Sequence, residues 1–255
     1  MLRFAMLASG SAGNALIAQG AGTCVMIDCG LGPRQASDRL ALLGLAPADI
    51  DAILVTHEHD DHVGGIAAFA GRHGIAVHAT RGTARAAGLQ DAGIDLHEID
   101  SHQCFEIAGL GIQPMPVPHD AREPVQFVIT EGSVRLGVLT DLGMPTAHVR
   151  AMLDGVSALV LECNHDPELL ATGQYPGWLK RRVGGDLGHL SNAQAADLLD
   201  SIDRSRLQHL VAAHLSASNN RPALARAALQ AVMGCGEDWV AVADQKTGLD
   251  WREIR

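Results

Sequence analysis

Thr56-His57-Glu58-His59-Asp60-Asp61-His62 is the stretch from which the rest of the chain can be read. It follows an apolar run, residues 50–55, that predicts a buried strand, and it leads into residues 63–74, whose apolar spacing predicts a helix. On an extended segment His57 and His59 point the same way, while Asp61 and His62, at the helix start, can turn toward a neighbouring position. Three imidazoles and a carboxylate so close together suit a divalent transition metal. The bland alternative is a solvent-facing polar loop, but histidines placed beside Ile53 and Val55 would be costly to bury unpaired.

Outward from this stretch, short apolar runs recur and end in Gly, Asp or His. Residues 2–8, 15–19 and 24–27 predict strands separated by glycine-rich turns, 35–43 a helix, 76–78 a strand and 83–92 a helix. Strands follow at 97–99, 104–107, 110–117, 125–131 and 134–140, then a helix at 146–153 and a strand at 158–162. A helix at 193–202, a strand at 207–212, a helix at 223–232 and strands at 240–243 and 249–252 complete the series. Residues 166–188 show no periodicity and read as a functional loop. No Pro- or Ser-rich linker divides the chain, so residues 1–255 read as a single domain.

The two halves echo one another. The first carries Met26-Ile27-Asp28-Cys29-Gly30 and later Ala52-Ile53-Leu54-Val55-Thr56-His57; the second carries Leu139-Thr140-Asp141-Leu142-Gly143 and later Ala158-Leu159-Val160-Leu161-Glu162-Cys163. Each runs strand-Asp-x-Gly, helix, then an apolar strand ending in polar ligand types. That pattern suggests a duplicated unit with a site where the halves meet, chance similarity of two βα units being the alternative.

Composition narrows the function. With 47% hydrophobic and 19% charged residues the chain is globular and long enough to bury a core without disulfides. A net charge of −10 argues against a DNA- or RNA-binding module with a broad basic face, yet not against a nuclease, since bound cations draw phosphate into an acidic protein's pocket. The cysteines Cys24, Cys29, Cys104, Cys163 and Cys235 are odd in number and form no CxxC pair; they read as reduced thiols, most of them small core residues. The first strand meets Ser9-Gly10-Ser11-Ala12-Gly13-Asn14 at once, which fits a hairpin better than a secretory segment. No run reaches the ~18 apolar residues of a membrane span. A cytoplasmic protein with no membrane partner is expected.

At His57, His59, Asp61 and His62 the chain resembles the metallo-β-lactamase superfamily, whose HxHxDH signature follows an apolar strand and an earlier strand-Asp-x-Gly, here Asp28-Cys29-Gly30. Histidine at both the second and the last histidine position is the arrangement of the two-metal hydrolases and nucleases. The resemblance implies an α/β fold, the αββα sandwich: two mixed sheets face to face, helices outside, metals at one edge. It also implies the remaining ligands. His119, after Pro116-Val117-Pro118, matches the third-motif histidine; Asp141 matches the aspartate that bridges both metals; His214, in Ala213-His214-Leu215-Ser216, matches the final ligand. One ion would take His57, His59, His119 and Asp141, the other Asp61, His62, Asp141 and His214. Singly, a strand-terminal histidine reads equally well as a half-exposed polar residue; the ordered set argues for ligands. Such His/Asp sites accept Zn or Mn, and also Fe or Ni.

Closer similarity lies in residues 9–14, Leu161-Glu162-Cys163-Asn164-His165-Asp166, Gly185-Asp186-Leu187-Gly188-His189-Leu190-Ser191 and Ala213-His214-Leu215-Ser216. These look like the YycJ/WalJ group, described as 5′-to-3′ DNA exonucleases with a lone metallo-β-lactamase domain. The Gly-His-Leu-Ser and Ala-His-Leu-Ser pair is also similar to tRNase Z, and the Gly-Ser-x-Gly-Asn start to PhnP-like hydrolases of small cyclic phosphodiesters. The β-CASP insertion of RNase J- and Artemis-type nucleases and the protruding arm of tRNase Z have no counterpart. The resemblance therefore implies a two-metal phosphodiester hydrolase, a DNA exonuclease with a metal-bridging hydroxide as nucleophile. Asp61 would orient that hydroxide and take up its proton, and His189 would protonate the leaving oxygen or stabilise its charge. Competing readings are a cyclic phosphodiesterase, a thioesterase and a non-catalytic metal-binding regulatory protein; for His189 the competitor is a cap on the helix beginning near Asn192.

Weaker candidates surround this set. Ser11 and Asn14 lie in a glycine-rich turn whose N–H groups could form an anion nest. Asn164 and His165, with Asp166, could line the pocket, a structural hydrogen-bonding role fitting equally well. Lys180-Arg181-Arg182 beside Trp178 is the only basic cluster along the chain; it reads either as a contact to a nucleic-acid backbone, with Trp178 stacking on a base, or as a solvated helix face. His73, His78, His97, His102, His148 and His209 read as surface or satisfied structural residues.

Overall fold

The computed structural model describes residues 1–234, 236 and 239–255, so Cys235 lies outside the described residues. The first half forms strands β1 (Leu2–Ala8), β2 (Ala15–Gly20) and β3 (Thr23–Ile27), helix α1 (Pro33–Leu42), β4 (Ala52–Leu54), α2 (Asp60–Val63), α3 (Ile66–His73), β5 (Ala76–Thr80), α4 (Arg81–Ala86) and β6 (Leu96–Ile99). The second forms β7 (Phe105–Ile107), β8 (Leu110–Pro116), β9 (Val125–Glu131), β10 (Val134–Leu139), α5 (Ala147–Leu153), β11 (Ala158–Glu162), α6 (Pro167–Thr172), α7 (Gly177–Val183), α8 (Asn192–Asp200), β12 (His209–Ala213), α9 (Pro222–Met233) and β13 (Val240–Val242). A last strand, β14 (Leu249–Ile254), returns to the first half and pairs antiparallel with β1.

Two seven-stranded mixed sheets result, ordered β14-β1-β2-β3-β4-β5-β6 and β13-β12-β11-β10-β9-β8-β7. In the first, the pairs from β14 to β3 are antiparallel, two of them hairpins, and parallel steps run from β3 to β6. The second repeats this pattern: β7 to β10 are antiparallel and β10 to β13 parallel. Parallel neighbours need a crossover, and helices supply most of them. The period-2 alternation sorts side chains into layers. In β1, Leu2, Phe4 and Met6 enter the core between the sheets, with Phe127, Leu136, Val138 and Val160 of the opposite sheet, whereas Leu7 faces α1 and α3. In β11, Ala158 and Val160 face inward while Leu159 and Leu161 pack under α5, α8 and α9. Strands buried on both faces explain why the runs read as continuous apolar stretches. The αββα sandwich expected from the resemblance is the architecture observed.

Three expectations change. The single helix over residues 63–74 is two, broken at Gly64-Gly65, where the chain swings in to bond Gly65 N to Cys29 O at 2.8 Å. The helix over 83–92 starts earlier, with Thr80 as its side-chain cap, and ends at Ala86 before a 3-10 turn at Leu89–Asp91. The stretch 166–188 is not structureless: it holds α6, capped by the Asp166 side chain with Pro167 at its first position, and α7. Helices of six and seven residues are too short to reveal a period, although Asp166-Pro167 was a start signal. Among the described cysteines, Cys24, Cys29 and Cys163 are buried and Cys104 is exposed, all as free thiols.

Candidate metal centre

The echoing units β3–α1–β4 and β10–α5–β11 each pair two parallel strands, and each leaves its Asp-x-Gly just beyond the first strand's end. The glycine is what lets another segment cross there. A Cβ on Gly30 would stand 1.9 Å from Asp61 O, and one on Gly143 would stand 2.1 Å from Asp186 O. One crossing brings in the Asp61–His62 turn and the other the loop that carries His189. The aspartates do different work. Buried Asp28 accepts Thr56 N (2.8 Å), Thr56 Oγ1 (2.7 Å) and His62 Nδ1 (2.7 Å), which fixes the chain at the start of the histidine motif. Asp141, 1% exposed, points into the cluster itself.

Eight of the residues singled out in the sequence converge. His57, His59 and His119 form one group of potential ligand atoms, Asp61, His62 and His214 a second, and Asp141 stands between them, joined to His57 and His62 on one side and to His189, His214 and Glu162 on the other. In each imidazole one nitrogen is taken from behind. His57 Nδ1 lies 3.0 Å from Thr56 Oγ1, His59 Nε2 3.3 Å from Asp120 O, His62 Nδ1 2.7 Å from Asp28, His119 Nδ1 3.0 Å from Gly188 O and His214 Nδ1 3.2 Å from Glu162 Oε1. The other nitrogens crowd inward: His119 Nε2 is 3.3 Å from His59 Nδ1, and His214 Nε2 is 3.3 Å from Asp61 Oδ2. Such outer partners fix tautomer and ring orientation in metal sites. Two buried atoms at the centre, His57 Nε2 and Asp141 Oδ2, have no hydrogen-bond partner, and Asp141 Oδ2 lies only 3.0 Å from His62 Nε2. Buried polar atoms left open toward one another, all of them lone-pair donors, fit divalent cations.

Electrostatics follow from this crowding. Burial, with the neighbouring His62, pushes the His57 pKa well below the ordinary histidine value, so its imidazole is neutral. For Asp61 burial works against ionisation, but the His214 hydrogen bond and the His62 charge outweigh it and lower the carboxyl to about 2. His189 is likewise opposed by burial, yet Glu162 at 2.7 Å and Asp141 at 3.3 Å raise it well above the usual value. The backbone is held against preference at two of these places: Asp28 and His214 have left-handed φ of 60° and 54°. His214 N donates to Ser9 Oγ at 2.7 Å, which ties the glycine-rich turn to the final motif.

A cavity of about 190 Å³ opens over the cluster, with His59, Asp61, Asp141, His189 and His214 on its floor and Ser11 and Arg182 on its walls. His189 does not cap the following helix, because Ser191 does; its Nδ1 goes to Glu162. The weaker candidates separate. Arg182 reaches the cavity and donates to Asp120 Oδ2 at 2.5 Å, whereas Lys180 and Arg181 project from the other side of α7, Lys180 Nζ donating to Ala171 O. Trp178 is 60% exposed and lines no part of the cavity. Asn14 is buried, and its amide turns to Asp61 Oδ2 (3.2 Å) and His62 Nε2 (3.1 Å); it braces the cluster instead of facing substrate. Asn164 is buried too and donates to His214 O, while His165 faces a separate hollow behind α7. Two residues received no role in the sequence reading: Asp28 and Glu162, a fully buried carboxylate that accepts Leu142 N, Leu190 N, His189 Nδ1 and His214 Nδ1. Their signal was a carboxylate at a strand end in each echoing half.

Residues 23–214 match the beta-lactamase superfamily domain, and the chain belongs to that superfamily. Its similarity to two relatives runs nearly end to end. Exodeoxyribonuclease YycJ of Bacillus anthracis is 32% identical over 235 residues, covering 91% of this chain and 89% of the relative. Exodeoxyribonuclease WalJ of Streptococcus pneumoniae is 31% identical over 250 residues, covering 93% and 92%. Among solved structures, the metallo-beta-lactamase fold protein YhfI from Bacillus subtilis superposes with a TM-score of 0.75 over 99% of this chain and 100% of that one; at 16% identity the likeness concerns the fold. Among the described residues no helix is long and apolar enough to cross a membrane.

Proposed function

We propose that the chain is a single-domain, two-metal phosphodiester hydrolase of the cytoplasm that degrades DNA from its 5′ end. The observation that carries this reading is the convergence of two ligand groups on a shared, buried Asp141 whose Oδ2 has no hydrogen-bond partner. Likeness over most of the chain to proteins named exodeoxyribonucleases supports DNA as the substrate class. His57, His59, His119 and Asp141 would hold one ion and Asp61, His62, Asp141 and His214 the other, with Zn or Mn suited to the donors. Bound there, the ions would make water nucleophilic at neutral pH and neutralise charge on the phosphoryl oxygens.

The chain's own groups do the rest. Asp61, ionised and on the cavity floor, orients the attacking water and receives its proton. His189 is held through Nδ1 by Glu162, so its protonated ring can give the Nε2 proton to the leaving oxygen. Ser11 and Arg182, on the cavity wall, contact the phosphate.

The test is incubation of the protein and of Asp61→Ala with Mn²⁺ and DNA labelled at its phosphorylated 5′ end. Early release of labelled mononucleotide by the parent protein alone is expected. Intact DNA in the presence of protein that holds two ions would overturn the reading.

A further inference from the structure

The run Lys180-Arg181-Arg182 is not the only basic cluster once the chain is folded. Arg81 and Arg85, from α4 at the end of the first half, meet Arg122, from the loop joining β8 to β9, around a concavity of about 490 Å³ completed by Gly82, Ala86 and Glu123. The juxtaposition is built, not incidental. Glu123 O accepts both Thr80 Oγ1 (2.8 Å) and Thr83 Oγ1 (3.2 Å), and Glu123 Oε2 accepts Gly82 N (2.6 Å), which fastens the loop to α4. Arg122 N donates to Glu58 Oε1 at 2.7 Å, in the midst of the histidine motif.

In a chain with 29 acidic against 19 basic residues, guanidinium groups tend to find carboxylates. Here none does: Arg81, Arg85 and Arg122 make no side-chain hydrogen bond or ion pair among the described residues. Glu123, which lines the same concavity, accepts Gly82 N, and Glu58 accepts Arg122 N, so both carboxylates are engaged with backbone and not with a guanidinium. The position matters as much as the charge. Arg122 is three residues from His119, within about 11 Å along the chain at ~3.6 Å per residue. Asp120 lines the metal cavity and Arg122 the basic concavity, so the two hollows share one loop.

We propose that this concavity binds the phosphodiester backbone of the strand whose scissile bond sits at the metal centre. The inference rests on the nuclease reading above and adds where the strand runs: from the cavity, past Asp120, onto Arg122, Arg81 and Arg85. Each guanidinium contacts a phosphate oxygen, and the counterions those phosphates release make binding salt-dependent.

The probe is a 5′-fluorescein single-stranded oligonucleotide. Its binding is measured from low to high salt in an Asp61→Ala background, with and without Arg81→Ala/Arg85→Ala. The two arginines are exposed, so folding is preserved. Loss of both is expected to weaken binding at low salt at least tenfold. It should also flatten the slope of log affinity on log salt by about 1.4, that is about 0.7 for each single-strand phosphate contact. In the parent background the same pair should slow oligonucleotide digestion and leave turnover of bis(p-nitrophenyl) phosphate unchanged. Arg206→Ala/Arg255→Ala removes equal charge from the far end of the sheets and should alter none of these. An unchanged slope, or an equal change in that control, overturns the inference while the nuclease reading stands. A parent protein that cleaves bis(p-nitrophenyl) phosphate but neither binds nor digests the oligonucleotide overturns both.

Discussion

Replacing Glu162 by glutamine takes one acceptor oxygen from a carboxylate that serves four donors. Oε2 receives Leu142 N at 2.9 Å and Leu190 N at 3.1 Å, while Oε1 faces His189 Nδ1 at 2.7 Å and His214 Nδ1 at 3.2 Å. Glutamine has a single oxygen, so its NH₂ group must confront one of these pairs, and two buried donors lose their acceptor. At about 1–3 kcal/mol for each unsatisfied buried group, the loss is at least about 2 kcal/mol. For a chain of this size that is roughly 4–8 °C in Tm. The backbone donors are fixed by the fold whereas imidazoles can turn, so the amide should face the two histidines. His214 then loses the partner that sets its ring, and loss of such a partner typically costs about 10–100-fold in metal affinity or activity. Melting curves of the chelator-treated protein isolate the stability effect; metal content after dialysis and the rate of DNA hydrolysis report the rest. A Glu162→Gln protein with parental Tm, metal content and rate would refute the assignment of Glu162 as the residue that positions His189 and His214.

The same packing sets other outcomes. Gly30→Ala would drive a methyl group to 1.9 Å from Asp61 O, so bound metal and Tm should both fall, whereas Gly32→Ala, with nothing within 4 Å of its new carbon, should match the parent in both measurements. Burial pushes the Cys24 and Cys29 thiols up to about 12 and raises that of Cys163, while Cys104 is exposed. Peptide mapping after brief treatment with a thiol reagent should find Cys104 modified in the native protein and the other three only after unfolding. Adding Mn²⁺ or Zn²⁺ to chelated protein at about a hundred times Kd should stabilise it by about 2.7 kcal/mol per site, seen as a rise in Tm that Asp141→Ala abolishes. A parent Tm indifferent to either metal would count against a metal centre.

Much of this architecture was legible because it is repetitive. Nearly continuous apolar runs in 2–8 and 158–162 announced strands, and the repeated Asp-x-Gly announced two equivalent turns. What the repeat concealed is that its carboxylates exchange tasks. In the first half Asp28, after the first strand of the pair, accepts the N–H of Thr56 beyond the second. In the second half Glu162, at the end of the second strand, accepts the N–H of Leu142 beyond the first. The sequence shows a carboxylate at each place but not which one faces the metal cavity. Glu162 was unreadable for a further reason: its four donors lie 20, 28, 27 and 52 residues away. Asn14 misled in the opposite sense, since a glycine-rich turn resembles an anion site whether its side chain faces substrate or, as here, braces Asp61. The second basic cluster was invisible because residues 81, 85 and 122 are adjacent only after folding.

The tether between Ser9 and His214 bears on timing. The hydroxyl that holds the left-handed His214 comes from a residue 205 positions earlier, and the groups behind His62, His214 and His119 are 34, 52 and 69 positions from them. A ribosome releases this chain from its N-terminus, so the HxHxDH stretch emerges with Asp28, Asn14 and Thr56 already made but Asp120 and His214 still to come. Until residue 214 has been synthesised and docked under Ser9, a growing polypeptide lacks the complete centre. Any chemistry at this centre therefore waits on residue 214, however early the histidine motif itself leaves the ribosome.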